Sequence, residues 1–236
     1  MTIALIDGDI VTHRTAWTTQ EEPDEIAMSR ADFMIRQILL DTNAESYRIF
    51  LSCPREANFR RQIDPEYKAN RKEGPKHLNI LREFLCLEWK AEVQVDQEAD
   101  DALGIHAGDD TIICSIDKDL HMIPGEHYNF VRSERKRIEA FEGIRNFYSQ
   151  LLIGDPTDNV RGVDGLGKIK TARILAGATS EQELFDIVQR EYSDDNRLLR
   201  NGRLLWIRRQ PEQLWEFPIG IQEQARAEDS SLIEEA

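Results

Sequence analysis

Cysteine is scarce in this sequence, and what there is has no pattern. Cys53, Cys86 and Cys114 are scattered, odd in number and match no ligand spacing. That excludes a disulfide framework and leaves each thiol as an expected small core residue in a reducing compartment. The five histidines form no HxxxH or CxxH pattern, so a zinc site is not expected. No run approaches the roughly 20 apolar residues of a membrane span. The opening MTIALIDGD lacks a basic n-region, and its apolar run stops at Asp7. It reads as a strand rather than a signal peptide, and a cytoplasmic protein without membrane contact is expected. Internal repeats are also missing. Positive charge is in deficit, with a formal net charge of -14.

What is present suits a globular chain. The length is 236 residues and 40% are hydrophobic, enough for a main domain with a smaller appendage. The acidic balance argues against a polyanionic partner. Net charge is a sum, however, and binding depends on its distribution. Basic residues gather in NFRRQIDPEYKANRK, RSERKR and RLLRNGRLLWIRR, each of which predicts a local positive surface.

Hydrophobic patterning places strands at Thr2–Ile6, Tyr47–Ser52, the weaker EVQV, Thr111–Ile116 and YNFVRS. A loop is expected after Ile6. Helices are expected over Glu25–Leu40, from Pro75 through HLNILREFLCLEW, and over EADDALGIHA. Strands alternating with helices predict an α/β core with a mostly parallel sheet, with its site at the carboxyl ends of strands. From about Gly143 the pattern changes to short helices broken by glycine. The expected division is a core over 1–142, a helical region over 143–220 and a flexible acidic tail over 221–236.

Four acidic groups stand out: Asp7; Glu98, Asp100 and Asp101 of EADD; Asp117 and Asp119 of DKD; Asp155 and Asp158 of DPTD. Each alone is explained by a helix cap or a turn. Together they end at loops that the topology brings to one rim. Clustered carboxylates resist ionising beside one another. A divalent cation removes that conflict, and an oxygen-only donor set favours Mg²⁺ or Mn²⁺. Two such ions suit phosphodiester hydrolysis.

The motifs IDGD, YKANR, EADD, SIDKDL and GDPTDNVRGVDGLG with its following KTA stand in the order found in the 5′-nuclease family, which the chain resembles from Ile3 to Leu175. That family includes flap endonucleases, the 5′-nuclease domains of bacterial DNA polymerases and phage 5′→3′ exonucleases. DPEYKANRK and DKDLHMIP are particularly similar to the short phage enzymes. The resemblance implies a PIN-like α/β core and a helical C-terminal region with a helix–turn–helix motif for duplex DNA. It implies structure-specific cutting of DNA near 5′ ends, nicks or flaps, extending to RNA–DNA hybrids, by a monomer. By the same resemblance, Asp7, Glu98, Asp100 and Asp101 make or support a first metal site. Asp117, Asp119, Asp155 and Asp158 supply a second. Lys68 and Arg71 match the family's basic pair beside the scissile phosphate, and Arg14 an arginine that helps hold substrate. Gly162, Gly165, Gly167, Lys168, Lys170 and Thr171 form the duplex-binding loop, which in relatives also holds K⁺ on backbone oxygens.

Three departures accompany the resemblance. Relatives carry an aspartate after the second strand, where this chain has Ser52; Glu56 is the nearby carboxylate that would replace it. The stretch between YKANR and EADD is short, which implies a reduced arch built partly by Arg55–Arg71. GLGKIKTA has one residue more than the family's GxGxKTA, which predicts a second helix starting one residue later. Two rival readings remain open here: a catalytically weak branched-DNA-binding module and a PIN-type ribonuclease.

Overall fold

The computed structural model describes residues 2–72 and 74–218; the acidic tail expected at 221–236 lies outside them. Six strands, β1 (Ile3–Asp7), β2 (Ser46–Leu51), β3 (Glu92–Val93), β4 (Thr111–Cys114), β5 (Gly125–Asn129) and β6 (Glu134–Ile138), form one sheet. Their order is β3–β2–β1–β4–β5–β6. All neighbours are parallel except β5 and β6. Side chains alternate across a strand, and both faces of this one are covered. Ala4, Ile6, Ile49, Leu51, Ile112 and Cys114 join one apolar cluster. Leu5, Phe50 and Ile113 join the other.

The helices divide between the two faces. α1 (Gly8–Thr18), α2 (Asp24–Thr42) and, beyond the short α3 (Arg60–Ile63), α4 (Leu78–Trp89) bury Val11, Ala31, Ile35, Leu81 and Leu85 in the first cluster. α5 (Ala99–His106) and α6 (Ala140–Ile153) cover the second face. After α6 come a two-stranded hairpin of β7 (Gly154–Asp155) and β8 (Val160–Arg161), then α7 (Lys168–Leu175), α8 (Glu181–Glu191) and α9 (Asp195–Leu205). Their Leu175, Phe185, Val188 and Leu198 share one apolar cluster with the sheet residues Leu5, Phe50 and Ile113. The expected boundary at 142/143 therefore falls inside α6, and the core runs across it.

Four local expectations change. The loop after β1 is a helix: α1 starts at Gly8, with Asp7 as its N-cap accepting from the Ile10 amide at 3.0 Å. The strand expected over YNFVRS is shifted. Asn129 ends β5 and its side chain accepts from the Val131 and Arg132 amides, which turns the chain into β6. β6 (ERKRI) is an exposed, charged edge strand with no apolar period to reveal it. Of EVQV only Glu92–Val93 is strand, and the glycine-broken region holds the β7–β8 hairpin.

A buried ion pair ties the pieces together. Arg60 is 2% exposed and Asp101 is 0% exposed. Arg60 binds Asp101 with both arms, at 2.6 and 2.8 Å, and also donates to Leu204 O and Trp206 O. Asp101 further accepts from the Arg208 amide at 3.1 Å. One side chain thus holds the segment after β2, helix α5 and the chain leaving α9. Removing one partner leaves an uncompensated buried charge, which costs about 3–5 kcal/mol. Asp101→Ala should lose roughly that much in urea unfolding; a loss below about 1 kcal/mol, the range of an exposed pair, would show that this pair carries no such constraint.

Candidate metal centre and nucleic-acid interface

The sheet order places the site. β1 has β2 on one side and β4 on the other, so the crossovers diverge at β1 and leave a crevice at its carboxyl end. Asp7 ends β1 there. Its Oδ2 accepts from the Ser115 hydroxyl at 2.7 Å, just beyond β4, and Ser115 Oγ accepts from the Asp117 amide at 3.1 Å. Burial pushes the Asp7 carboxyl up to about 7, with Asp9 and Asp117 adding to it and the Ile10 amide and Ser115 hydroxyl opposing. Asp100, from the first turn of α5, is pushed well up by burial and then by Asp7, Asp117 and Glu98.

A second acidic group lies beyond Asp117. Asp119 is pushed up to about 7 by burial, then by Asp117, Asp155 and Asp158, with a hydrogen bond to Asp155. Asp155 ends β7, and its Oδ1 accepts from the Thr157 and Asp158 amides at 2.7 and 3.3 Å. Asp158 is also raised, by burial first, against the pull of Lys68 and Arg71. Asp117 is the charge common to both groups.

The reduced arch is fastened onto this second group. Lys68 N donates to Asp158 O, Asn70 to Pro156 O and Asn159 to Glu66 O, at 2.8–2.9 Å. Lys68 itself takes a left-handed backbone, φ 55°. Its ammonium is paired with Glu98 and lies 3.4 Å from Asp158, while Arg71 binds Asp158 at 2.7 Å. The Tyr67 hydroxyl sits between Glu98 Oε2 (3.0 Å) and Asp158 Oδ2 (2.8 Å). Although burial opposes it, the cations Lys68 and Arg60 hold the Glu98 carboxyl down at about 2.

A cleft of about 750 Å³ opens over these groups. Asp7, Asp100, Asp117, Glu98 and Lys68 line it, as do Arg55, Arg61, Arg71, Lys72 and Arg82. Here the anionic chain concentrates positive charge.

The structure corrects several sequence-based assignments. Asp101 is no ligand: both its oxygens are taken by Arg60 and by the Arg208 and Glu98 amides, on the core side of α5. Glu56 is exposed and absent from the cleft wall, so it does not stand in at Ser52. Asp9 lies there instead, 3.1 Å from the Ser52 amide. Arg14 is exposed on α1 outside the cleft wall, which its neighbour His13 joins. Thr171 is 0% exposed and faces inward. Gly162 is buried against Ile153 and Gly154, where a Cβ would come within 2.3 Å of backbone; it closes the hairpin rather than facing outward.

The remaining loop residues form an exposed tip. Gly165 has φ +77°, a conformation that favours glycine, and a Cβ there or at Gly167 would meet nothing within 4 Å. α7 starts directly after Gly167, so the additional residue delays nothing; Lys168 is its first residue. No side chain caps α7. Its first amides, with exposed Lys168 and Lys170 beside them, suit a phosphate. Lys170 donates to Gly165 O at 3.0 Å.

Tyr67, Asp9, Arg82 and Ser115 were not singled out from sequence. Tyr67 and Asp9 stand inside the quoted motifs YKANR and IDGD, which was their only signal. Arg82, mid-helix in α4, had none.

The donor set fits a hard divalent cation. It is oxygen only, and two of its carboxyls are held near 7 by burial and by neighbouring carboxylates, Asp117 among them in both cases. Among the described residues no three acidic, histidine or cysteine side chains form a ready-made cage for one ion, so the fit is one of chemistry and charge.

The family described as 5′–3′ exonuclease, N-terminal resolvase-like domain, matches residues 2–148. A 5′–3′ exonuclease of Buchnera aphidicola subsp. Schizaphis graminum is 30% identical over 198 residues, covering 73% of this chain and 69% of the relative. A thermostable DNA polymerase I of Thermus thermophilus is 26% identical over 208 residues, covering 78% of this chain. This chain spans only 25% of that polymerase. Among solved structures, bacteriophage T5 5′-exonuclease with divalent metal ions (zinc) bound has a TM-score of 0.70 at 19% identity, covering 87% of this chain and 89% of that one. T5 D15 protein co-crystallized with metal ions gives 0.69 at 17%, covering 88% and 89%. At such identity these two show the shared fold. No helix among the described residues is long and apolar enough to cross a membrane.

The raised carboxyls set a pH dependence for the metal-free protein. Asp119 titrates at about 7 when folded and at its ordinary 3.8 when unfolded. The folded state keeps a proton that the unfolded chain has lost, so stability falls as pH rises from about 4 to about 7 and stays lower above. Asp119→Asn should therefore raise the Tm in EDTA at about pH 8 and change it little at about pH 4. An equal shift at both pH values would remove the electrostatic explanation.

Proposed function

This chain belongs to the 5′–3′ exonuclease family, and on that premise we propose that it is a divalent-metal-dependent, structure-specific 5′→3′ exonuclease and flap endonuclease acting on DNA. The observation that carries the reading is the position of Asp117. It lies within electrostatic reach of Asp7 and Asp100 on one side and of Asp119 on the other, in the same cleft as Lys68 and Arg71. Two adjoining carboxylate groups facing paired cations suit a phosphodiester at a two-ion centre.

Mg²⁺ or Mn²⁺ is the proposed cofactor, held by Asp7, Asp100 and Asp117 on one side and by Asp119, Asp155 and Asp158 on the other, with Glu98 beside them. Such ions supply an activated water and a Lewis acid for the leaving oxygen. The chain's own residues do the rest. Lys68 and Arg71 stabilise charge developing on the phosphate oxygens. Glu98 and Asp158 hold the two cations in place, and Tyr67 braces both carboxylates. The cleft arginines take the displaced strand through its phosphates, which positions it without reading its sequence.

The tip from Gly165 into the first turn of α7 at Lys170 is proposed to grip the duplex as the helix–turn–helix element. K⁺ on its backbone oxygens is included, in competition with the Lys170 ammonium at Gly165 O. RNA–DNA hybrids are included as substrates, because phosphate contacts dominate. A monomer working in the cytoplasm completes the reading.

A two-ion centre lowers the barrier by several kcal/mol, so Asp117→Asn or Asp155→Asn should cut the rate on a 5′-flap duplex roughly a hundredfold or more. Lys68→Ala should lower kcat about 10²-fold. Labelled flapped, nicked and blunt duplexes with Mg²⁺ test all three variants, with circular dichroism confirming the fold. Wild-type protein that cleaves no better than Asp117→Asn would sink the proposal.

A further inference from the structure

Three strands end at the rim that carries the carboxylates. β1 ends in Asp7, and β4 leads through Ser115 into Asp117. β2 leads into Ser52, which is uncharged. Asp9 lies over that end. Its Oδ2 accepts from the Ser52 amide at 3.1 Å, and its Oδ1 binds Arg82 at 2.6 Å. The other arm of Arg82 donates to Ser52 O at 2.6 Å, and Ser52 Oγ accepts from the Ala99 amide at 2.9 Å. α1, α4, the end of β2 and the start of α5 thus meet in one ring of hydrogen bonds. Asp9, Arg82, Asp7 and Asp117 all line the cleft. Asp7 is the N-cap of α1 and Asp9 stands in the first turn of the same helix, so the two carboxylates are close neighbours on one wall of the cleft.

We infer that Asp9 is a positioning residue of the metal centre: its fixed carboxylate supplies, at the end of β2, the negative charge that Ser52 lacks, and Arg82 holds it there while partly offsetting it. The inference rests on the metal-centre reading above. Both oxygens of Asp9 are already hydrogen-bonded, so it acts through its field and through ordered water, as outer groups of metal sites do.

A charge role and a merely structural clamp differ in sign. A clamp is broken equally by losing either partner. A charge role predicts opposite effects, because Asp9→Asn removes an attraction for the cation and Arg82→Gln removes a repulsion. Mn²⁺ binding to the full chain without DNA, followed by electron paramagnetic resonance, separates the two. Asp9→Asn should weaken binding about tenfold, the lower end of the usual outer-group effect. Arg82→Gln should tighten it. If both variants weaken it, or if Asp9→Asn binds as the wild type does, the inference is overturned. Asp117→Asn is the control. If it too leaves Mn²⁺ binding unchanged, the metal centre itself fails; if it alone loses binding, only the role of Asp9 fails. Should Asp9→Asn not fold, Arg82→Gln decides: tighter binding supports the inference and any other result overturns it.

Discussion

The Arg60–Asp101 pair is the constraint on which the rest of the site depends. Its guanidinium is nearly closed to solvent and meets two carboxylate oxygens and two backbone carbonyls. From it a line of contacts runs outward. Asp101 receives the Glu98 amide, Glu98 takes the Lys68 ammonium and the Tyr67 hydroxyl, and Tyr67 reaches Asp158. Each polar group is satisfied by the next, which fixes rotamers that the surface alone would leave free. A hydrophobic pair of similar volume would match it in stability, but it would orient nothing.

The sheet was legible because its strands are apolar on both faces and bounded by polar turns. TIALI, YRIFL and TIIC needed no tertiary information to find. α1 was not legible: GDIVTHRTAWT spreads its apolar residues around the helix, and its start is set by Asp7 acting as a cap at the end of a strand. β6 was hidden for the opposite reason, since ERKRI is charged in all but its last residue and owes its form to pairing with β5. In the site, spacing identified EADD but could not divide its labour. Asp100 and Asp101 are adjacent, yet helical geometry turns one to the cleft and the other to Arg60. Thr171 and Gly162 show the same limit, because a motif says which residues recur and not which way each one faces.

The charge of the chain acquires a meaning from where its exceptions lie. A formal net charge of -14 makes most of the surface repellent to a polyanion, while Arg55, Arg61, Lys72 and Arg82 gather in one cleft with Lys68 and Arg71. Several basic residues elsewhere are already occupied. Lys136 and Arg137 on β6 pair with Glu142, Glu126 and Glu139, and Arg203 pairs with Glu216. The basic runs seen in sequence are thus not equivalent: the one after β2 faces the site, and the one in β6 ties its hairpin to α2 and α6 through Arg135–Asp41 O and Lys136–Glu142.

The β7–β8 hairpin joins two chemically opposed surfaces by a very short path. Asp155 and Asp158 sit within it, and the exposed glycine tip begins a few residues later. Gly154 and Gly162 press backbone against backbone at its base, and Arg197 and Asn201 of α9 hold the carbonyls of Arg161 and Gly162 from outside. So short and so braced a connection has little room to stretch. On the proposed reading it works as a gauge: the interval between the place where the duplex is held and the place where it is cut is written into the length of a turn.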